Sequence, residues 1–525
     1  MRRFLHTGSA LMAALDVTVA SASISVPASA PTGATFASGF DMKTSWGNLS
    51  PYKEAGSFNV PKGVPGGCEL SQVHVLHRHA QRYPTGAPLD GVPMESFHDK
   101  FVNYTRSHPN EAVGKGPLAF LNDWEYFLGE ELLLTTGAAT EATSGADTWA
   151  KYGRTVYRAS PGEASWNESM NVYPNGTARS KPVFRTTSQA RILESARWWL
   201  SGFFGNTGAN SSYDQYDLVI IPEVNPFNNT LAPGSACPGA HTDGDDSAEV
   251  FATKALSPAL KRLSKLLPSD FNLTSSDVLG MITLCPYEYA TLGSSAFCSL
   301  FTEQEWRDFE YITDVIFYGD YGFGSPSGRA QGIGYVLELA ARLEAKLIYS
   351  SDTSINYTYD DNTAQFPLHQ PLYMDMSHDD NIVSVIAALG MEYFNYGSQG
   401  LPGDLTKSPP RTFKLNEITP FGARFISEVW TCPSDTSFDN LGATLYKNPD
   451  LSSKKDTKDY IRFVLNNAPV PLKGVPGCDG AKNGFCAVSD FLKGVPDMKK
   501  EAEYQYACYG DYNSTGQVGD GYPEE

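Results

Sequence analysis

Three stretches of this chain share one design: a short apolar run, a polar turn, then a second pattern. In "ELSQVHVLHRHA", Val73 and Val75 alternate as in a half-buried strand, and the run ends on cations. In "KPVFRTTSQARILESARWWLSGFFG", a strand gives way to a polar turn and then to a helix, whose apolar face is Ile192, Ala196, Trp199 and Leu200. Ser188 is the candidate N-cap of that helix. In "FPLHQPLYMDMSHDDNIVSVIAALG", Leu372, Met374 and Met376 alternate, and Asp379 or Asp380 can cap a helix with the face Ile382, Val385, Ile386 and Leu389.

The intervening chain fills in the pattern. "HDKFVNYTRS" reads as helical, and so does "LAFLNDWEYFLGEELLLTTGAATEATSGADTWAKYGRTV", with Leu118, Phe120, Leu121 and Trp124 near its start. "DLVIIPE" gives a buried-type strand over Leu218 to Ile221, and "RFVLNNAPVPL" a late strand or hairpin. Between about Pro238 and Leu347 helical patterns dominate, as in "ALKRLSKLLP" and "GIGYVLELAARLEAKL". Alternating strands and helices predict an α/β fold with a mostly parallel sheet flanked by helices, interrupted by a smaller helical domain. The expected division is a leader over 1–22, a surface arm over 23–66, the first part of the α/β core over 67–235, a helical insertion over 236–350, and the second part of the core, with a C-terminal disulfide region, over 351–525.

Composition narrows the setting. With 41% hydrophobic and 19% charged residues, the 525-residue chain is an ordinary globular protein. Its net charge of -19 argues against a nucleic-acid binder, which needs a basic footprint. Any anionic ligand must be drawn in by a local basic site against that field. "MRRF", an apolar stretch interrupted by Asp16, and the small residues Ala20-Ser21-Ala22 read as a secretory signal. Sequons at Asn48, Asn103, Asn167, Asn175, Asn210, Asn228, Asn272, Asn356 and Asn513 fit N-linked glycans. The 8 cysteines form no C-x-x-C pair and no zinc pattern, which points to disulfides. No later stretch is long and apolar enough for a membrane span. The reading is a secreted protein with no membrane and no nucleic-acid partner.

The chemistry concentrates at strand ends, where α/β sheets bind ligands. Arg78, His79 and Arg82 follow Val75 closely. Guanidinium forks match phosphate, and an imidazole between two of them is pushed toward its neutral, nucleophilic form. Read alone, the segment equally suits a core histidine with two salt-bridging arginines. His378 and Asp379 end a second strand about three hundred residues later; a histidine there can donate to a phosphate oxygen, and an aspartic acid can protonate a leaving alcohol. Read alone, "HDD" is simple helix capping.

Taken together, "RHAQRYP" resembles the R-H-G-x-R-x-P signature of histidine acid phosphatases, and "SHDDN" their second, His-Asp signature. "YGFGSPSGRAQGIGYVLELAARL" and "PVPLKGVPGCDGAKNGFC" resemble segments of secreted fungal phytases in the same order, so the similarity runs from about Cys68 to Cys508. The resemblance implies the histidine phosphatase fold and a secreted acid phosphatase working through a phosphohistidine, phytate included, with no metal and no cofactor. It makes His79 the nucleophile and Asp379 the proton donor, with Asp380 as the fallback. Arg78, Arg82, Arg191 and His378 bind the phosphate; Arg185, close to Arg191, and Thr85 are further candidates. It also implies the disulfides Cys68–Cys432, Cys237–Cys508, Cys285–Cys298 and Cys478–Cys486. His77 is read as structural.

Two departures carry expectations. Ala80 stands at the signature glycine and is strained if that position needs a positive φ. Asp90 and Glu95 lie where the fungal enzymes carry lysines, which implies a weaker grip on the outer phosphates of phytate. The alternatives are a broad acid phosphomonoesterase that handles phytate poorly, and a non-catalytic secreted glycoprotein that binds phosphate. A sugar-phosphate or glycerate mutase fits the leader, sequons and cysteines less well.

Overall fold

The computed structural model describes residues 39–173, 175–205, 212–240, 242–397, 400–442, 445–451, 454, 456–513 and 516–523. The leader read over 1–22, and the sequon at Asn210, lie outside these residues.

The apolar runs become strands of one large sheet: β1 (Glu69–Arg78), β2 (Val183–Thr187), β3 (Asp217–Ile221), β4 (Leu372–Ser377), β5 (Arg424–Pro433), β6 (Thr457–Leu465), β7 (Ala468–Pro469) and β8 (Cys486–Ala487). Their order is β8-β6-β5-β1-β4-β2-β3, with β7 paired to β6. On one side of β1 the pairings β1–β4, β4–β2 and β2–β3 are parallel. On the other, β5, β6, β7 and β8 run antiparallel to their neighbours. The sheet is therefore mixed, where alternation of strand and helix suggests a mostly parallel one. Among the described residues no helix lies between β5 and β6, and such a pair is invisible to that argument.

Helices α1 (Gly91–Ser107), α2 (Thr135–Thr148), α3 (Ala190–Phe204), α4 (Asp243–Ala255), α5 (Ser275–Leu292), α6 (Glu303–Asp320), α7 (Gly328–Leu343), α8 (Asp379–Ala388) and α9 (Val488–Ala502) cover the sheet and fill the stretch between β3 and β4. α2 and α3 cross closely because Gly145 and Gly202 face each other's backbones: a Cβ on Gly145 would lie 1.9 Å from the Trp199 carbonyl, and one on Gly202 2.0 Å from that of Ala142. Strand parity sorts β1 between two apolar cores. Val73 and Val75 pack with Trp199 and Phe203 of α3, while Leu76 joins the core of the helical side.

Several local expectations change. The "LAFLNDWEYFLGEELLL" stretch is a short 3-10 turn over Gly116–Asp123 followed by irregular chain, and α2 starts only at Thr135. Gln189, not Ser188, is the N-cap residue of α3; the Ser188 hydroxyl instead accepts from the Glu223 backbone N–H. The described part of the arm is no surface tail, since Trp46, Leu49 and Phe58 are buried in the core. All four disulfides pair as the resemblance implies. Cys68–Cys432 ties the start of β1 to the end of β5.

Candidate active site

The parallel register sets Arg78 of β1 directly beside Ser377 of β4. The residues that follow, His79 and His378, therefore emerge together at the carboxyl edge of the sheet, their ring centroids 6.1 Å apart and nearly perpendicular. Two motifs separated by most of the chain become neighbours because two strands end in step.

His79 is buried, and its Nδ1 donates to the Ala80 carbonyl at 2.8 Å. A carbonyl can only accept, so in the neutral ring the proton sits on Nδ1 and the lone pair on Nε2. Burial, then Arg78, Arg191, Arg82 and His378, hold His79 well below the usual imidazole range. The result is a neutral imidazole with a fixed tautomer among cations. Ala80 is buried at a negative φ, so it fits the signature glycine position without backbone strain.

Each phosphate-binding candidate meets one carboxylate. Arg78 Nη2 lies 2.7 Å from Asp379 Oδ2, Arg82 Nη1 3.1 Å from Asp90 Oδ2, Arg191 Nη1 3.4 Å from Glu131 Oε2, and His378 Nε2 3.0 Å from Glu223 Oε2. Arg78 is further pinned by donating to the Asn48 and Thr419 carbonyls, and it lies 4.5 Å from the centre of the Phe421 ring. Arg82 also donates to the Tyr287 hydroxyl at 2.9 Å, and that hydroxyl donates to Asp90. Burial pulls His378 down, but Glu223 outweighs it and raises the ring above its ordinary pKa, which favours the doubly protonated donor form.

Asp379 begins α8, with His378 as the N-cap residue. Its Oδ2 accepts from Asn48 Nδ2 at 2.9 Å as well as facing Arg78. Burial favours the neutral acid, but Arg78, the Asn48 hydrogen bond, Arg82 and His378 together hold the carboxyl below its ordinary value. Asp380 faces the other way in energy: burial raises its pKa, His378 opposes, and Asp379 adds to the rise.

The remaining candidates separate. Thr85 donates to Asp90 from both its N–H and its hydroxyl, at 3.0 and 2.7 Å, so it steadies Asp90. Asp90 is thus a wall of the pocket rather than a loose surface charge. Arg185 is not in the pocket. It points to the opposite face of β2, where Nε meets Asp375 at 2.6 Å, Nη2 meets Glu338 at 2.5 Å and Nη1 meets Asp360 at 3.5 Å. His77 is buried under α2, with Nδ1 donating to the Arg78 carbonyl and Nε2 accepting from Ser144 Oγ, each at 2.7 Å.

The structure adds residues the motifs do not include. Asn48 reaches the site from the arm, and its burial there overturns its reading as a glycan acceptor. Glu223 lies just past the carboxyl end of β3, the position where α/β sheets place ligand-binding groups, and that signal was available in "DLVIIPE". Glu131 sits in a left-handed backbone conformation, φ 58°, with its N–H donating to the Pro84 carbonyl at 2.9 Å.

Residues 69–466 match the model of the histidine phosphatase superfamily (branch 2). The chain is 30% identical to Phytase A of Emericella nidulans over 462 residues, covering 86% of this chain and 87% of that one. It is 31% identical to Phytase A of Aspergillus fumigatus over 465 residues, with the same shares. Among solved structures, the phytase from D. castellii superposes with a TM-score of 0.67 at 22% identity, covering 91% of this chain and 90% of that one.

Proposed function

Because the chain belongs to the histidine phosphatase superfamily, branch 2, we propose that it hydrolyses phosphate monoesters, phytate among them, through a phosphohistidine on His79. The observation that carries the reading is the His79 Nδ1–Ala80 hydrogen bond, which leaves Nε2 as the free lone pair amid three arginines and His378.

In the first step, Nε2 attacks phosphorus and the bond to the leaving oxygen breaks. Arg78, Arg82, Arg191 and His378 balance the charge on the other phosphate oxygens. Asp379 gives its proton to the departing alkoxide. In the second step water attacks phosphorus, the P–N bond breaks, and Asp379 takes back a proton from that water. The Arg78–Asp379 contact suggests how the acid is loaded. A phosphate dianion competes for Arg78 and adds negative charge beside Asp379, and both effects raise a carboxyl pKa.

The relatives named above are phytases, yet the surroundings of Arg82 are acidic. Burial pulls Arg82 down, but Tyr287, Asp90 and Asp379 together hold it above the ordinary arginine value. On this reading phytate is hydrolysed without strong preference over simple monoesters. The leader, the remaining sequons and the disulfides support secretion, and among the described residues no helix is long and apolar enough to cross a membrane.

The test is phosphate release at acid pH from p-nitrophenyl phosphate, glycerophosphate and phytate. Asp379→Asn should cost about 10²–10⁴-fold on the two alkyl esters and far less on p-nitrophenyl phosphate, whose leaving group hardly needs a proton. Equal loss on all three would mean that Asp379 positions the site and that Asp380 is the next candidate donor.

A further inference from the structure

The antiparallel half of the sheet lines a separate, half-open pocket of about 270 Å³. Leu70, near the start of β1, lines it. The lining runs along the sheet as far as Val464, which stands level with Val75 through Ile426, and it shares no residue with the phosphate pocket at the strand ends. The cavity and the phosphate pocket are distinct.

The floor is a closed polar network. Glu428 accepts from Tyr152 at 2.8 Å, from Trp430 Nε1 at 3.0 Å, and from Arg462 Nε and Nη2 at 2.8 and 2.6 Å. Arg462 Nη1 donates to the Gly63 carbonyl at 2.6 Å. This ion pair is occupied with itself. Val64, Leu70, Leu445 and Val464 supply apolar walls.

Three further cations line the cavity: Lys62, Lys151 and Arg154. None has a carboxylate in ion-pair contact among the described residues. Lys62 Nζ is 3.4 Å from the Ala55 carbonyl, Lys151 Nζ donates to Asn467 Oδ1 at 3.0 Å, and Arg154 Nη1 donates to the Tyr446 carbonyl at 3.3 Å. All three acceptors are neutral. The chain carries 59 acidic against 40 basic residues, so an excess of cations around one concavity is not what its surface supplies on average. Glu428 also lines it, but is held by Arg462, and a concavity with an excess of one charge concentrates the opposite ion. Lys151 also sits on a π-turn, Trp149–Gly153, a local irregularity that recurs at functional sites. Its ammonium is shifted below the ordinary lysine value by lost solvation, with Glu428 and Glu54 opposing and Arg462 and Arg424 adding to the shift.

We propose that this cavity binds an amphipathic organic anion, its acidic head held by Lys62, Lys151 and Arg154 and its apolar body lying against Leu70, Trp430 and Val464. 8-Anilinonaphthalene-1-sulfonate is a direct probe, since it joins a sulfonate to an aromatic body and its fluorescence reports burial. The full-length protein should bind one molecule without competing with p-nitrophenyl phosphate. Lys151→Glu and Arg154→Glu should each weaken binding at least tenfold while leaving p-nitrophenyl phosphate turnover unchanged. Leu445→Trp, which fills the cavity without changing charge, should do the same. Competitive inhibition with a constant equal to the dissociation constant would place the probe in the phosphate pocket and overturn the proposal. So would unchanged affinity in both charge-reversed variants when they melt like wild type, or equally tight binding of the uncharged N-phenyl-1-naphthylamine.

Discussion

Two buried charge clusters lie along β4, and they differ in how their charges are held. Around Asp375, within the strand, Arg185 and Arg342 meet Asp375, Glu338 and Asp360, and every one of these side chains is at most 3% exposed. Past the end of the strand, Arg78, Arg82, Arg191 and His378 meet one carboxylate each, at distances up to 3.4 Å, and the Glu131 side chain is 45% exposed. The first cluster is closed and serves packing. On the function proposed above, an incoming anion takes the place of the looser partners in the second, and a displaceable partner rather than burial alone marks the proposed phosphate-binding arginines.

Arg185 and Arg191 lie six residues apart and make the contrast testable. Arg185→Met leaves the buried carboxylates of Asp375 and Glu338 with Arg342 alone, and removing one partner of a buried pair typically costs about 3–5 kcal/mol. Thermal melting should drop sharply, while the folded fraction keeps its turnover number at permissive temperature. Arg191→Met should do the reverse. Its own shift below the ordinary arginine value, caused by burial and by Arg82 with Glu131 opposing, means the folded state gains little from its charge. Melting should hold, and kcat/KM should fall by about 10²–10³-fold on every monoester, as on losing one transition-state donor. If Arg185→Met alone abolished turnover, or Arg191→Met alone unfolded the protein, the division would be wrong.

A smaller effect tests the arm. Asn48→Ala removes a donor from the Asp379 carboxylate, and one charge-assisted hydrogen bond contributes about 1.5–3 kcal/mol. Turnover of glycerophosphate should persist to higher pH, because Asp379, freed of a donor that favours its ionised form, keeps its proton longer, with p-nitrophenyl phosphate nearly unaffected. Equal loss on both esters would mean that Asn48 supports Arg78 instead.

A further effect is on pH dependence. Asp360 is pushed up to about 9 by burial first and then by Glu338, against Arg185. Between the ordinary carboxylate value and that point the folded state holds a proton that the unfolded chain has lost. Stability should therefore decline as pH rises across this window, by at most about 1.4 kcal/mol per pH unit. Asp375 runs the other way: burial opposes, but Arg185 and Arg342 hold it well below the ordinary range. Its contribution is present above the ordinary carboxylate value and is lost only as pH falls toward its lowered pKa. Melting curves at pH 5 and pH 8 should place the more stable state at pH 5, and Asp360→Asn should narrow the gap. A protein more stable at pH 8 would contradict this.

The same contrast explains what could be read from the sequence. The pocket was legible because its cations directly follow strands that end in step, so strand and motif point to one edge. Arg185 and Arg191 could not be separated by spacing, but strand parity separates them. Phe184 packs against Trp199 under α3, which turns its neighbour Arg185 to the opposite face. Asn48 was out of reach because its segment has no periodicity and doubles as a sequon. The antiparallel strands β5 and β6 were missed as a pair because no helix among the described residues intervenes to mark a crossover.

The central claim is that His79, held neutral with its lone pair on Nε2, carries the phosphoryl group between the two steps. Rapid mixing with labelled substrate, followed by an alkaline quench that preserves phosphohistidine, tests it directly. Label should be trapped on the wild-type protein and map to the peptide containing His79, and it should be absent from His79→Ala, whose turnover should fall by roughly four orders of magnitude or more. Label at equal yield on His79→Ala, or on another residue of the wild type, would contradict the account.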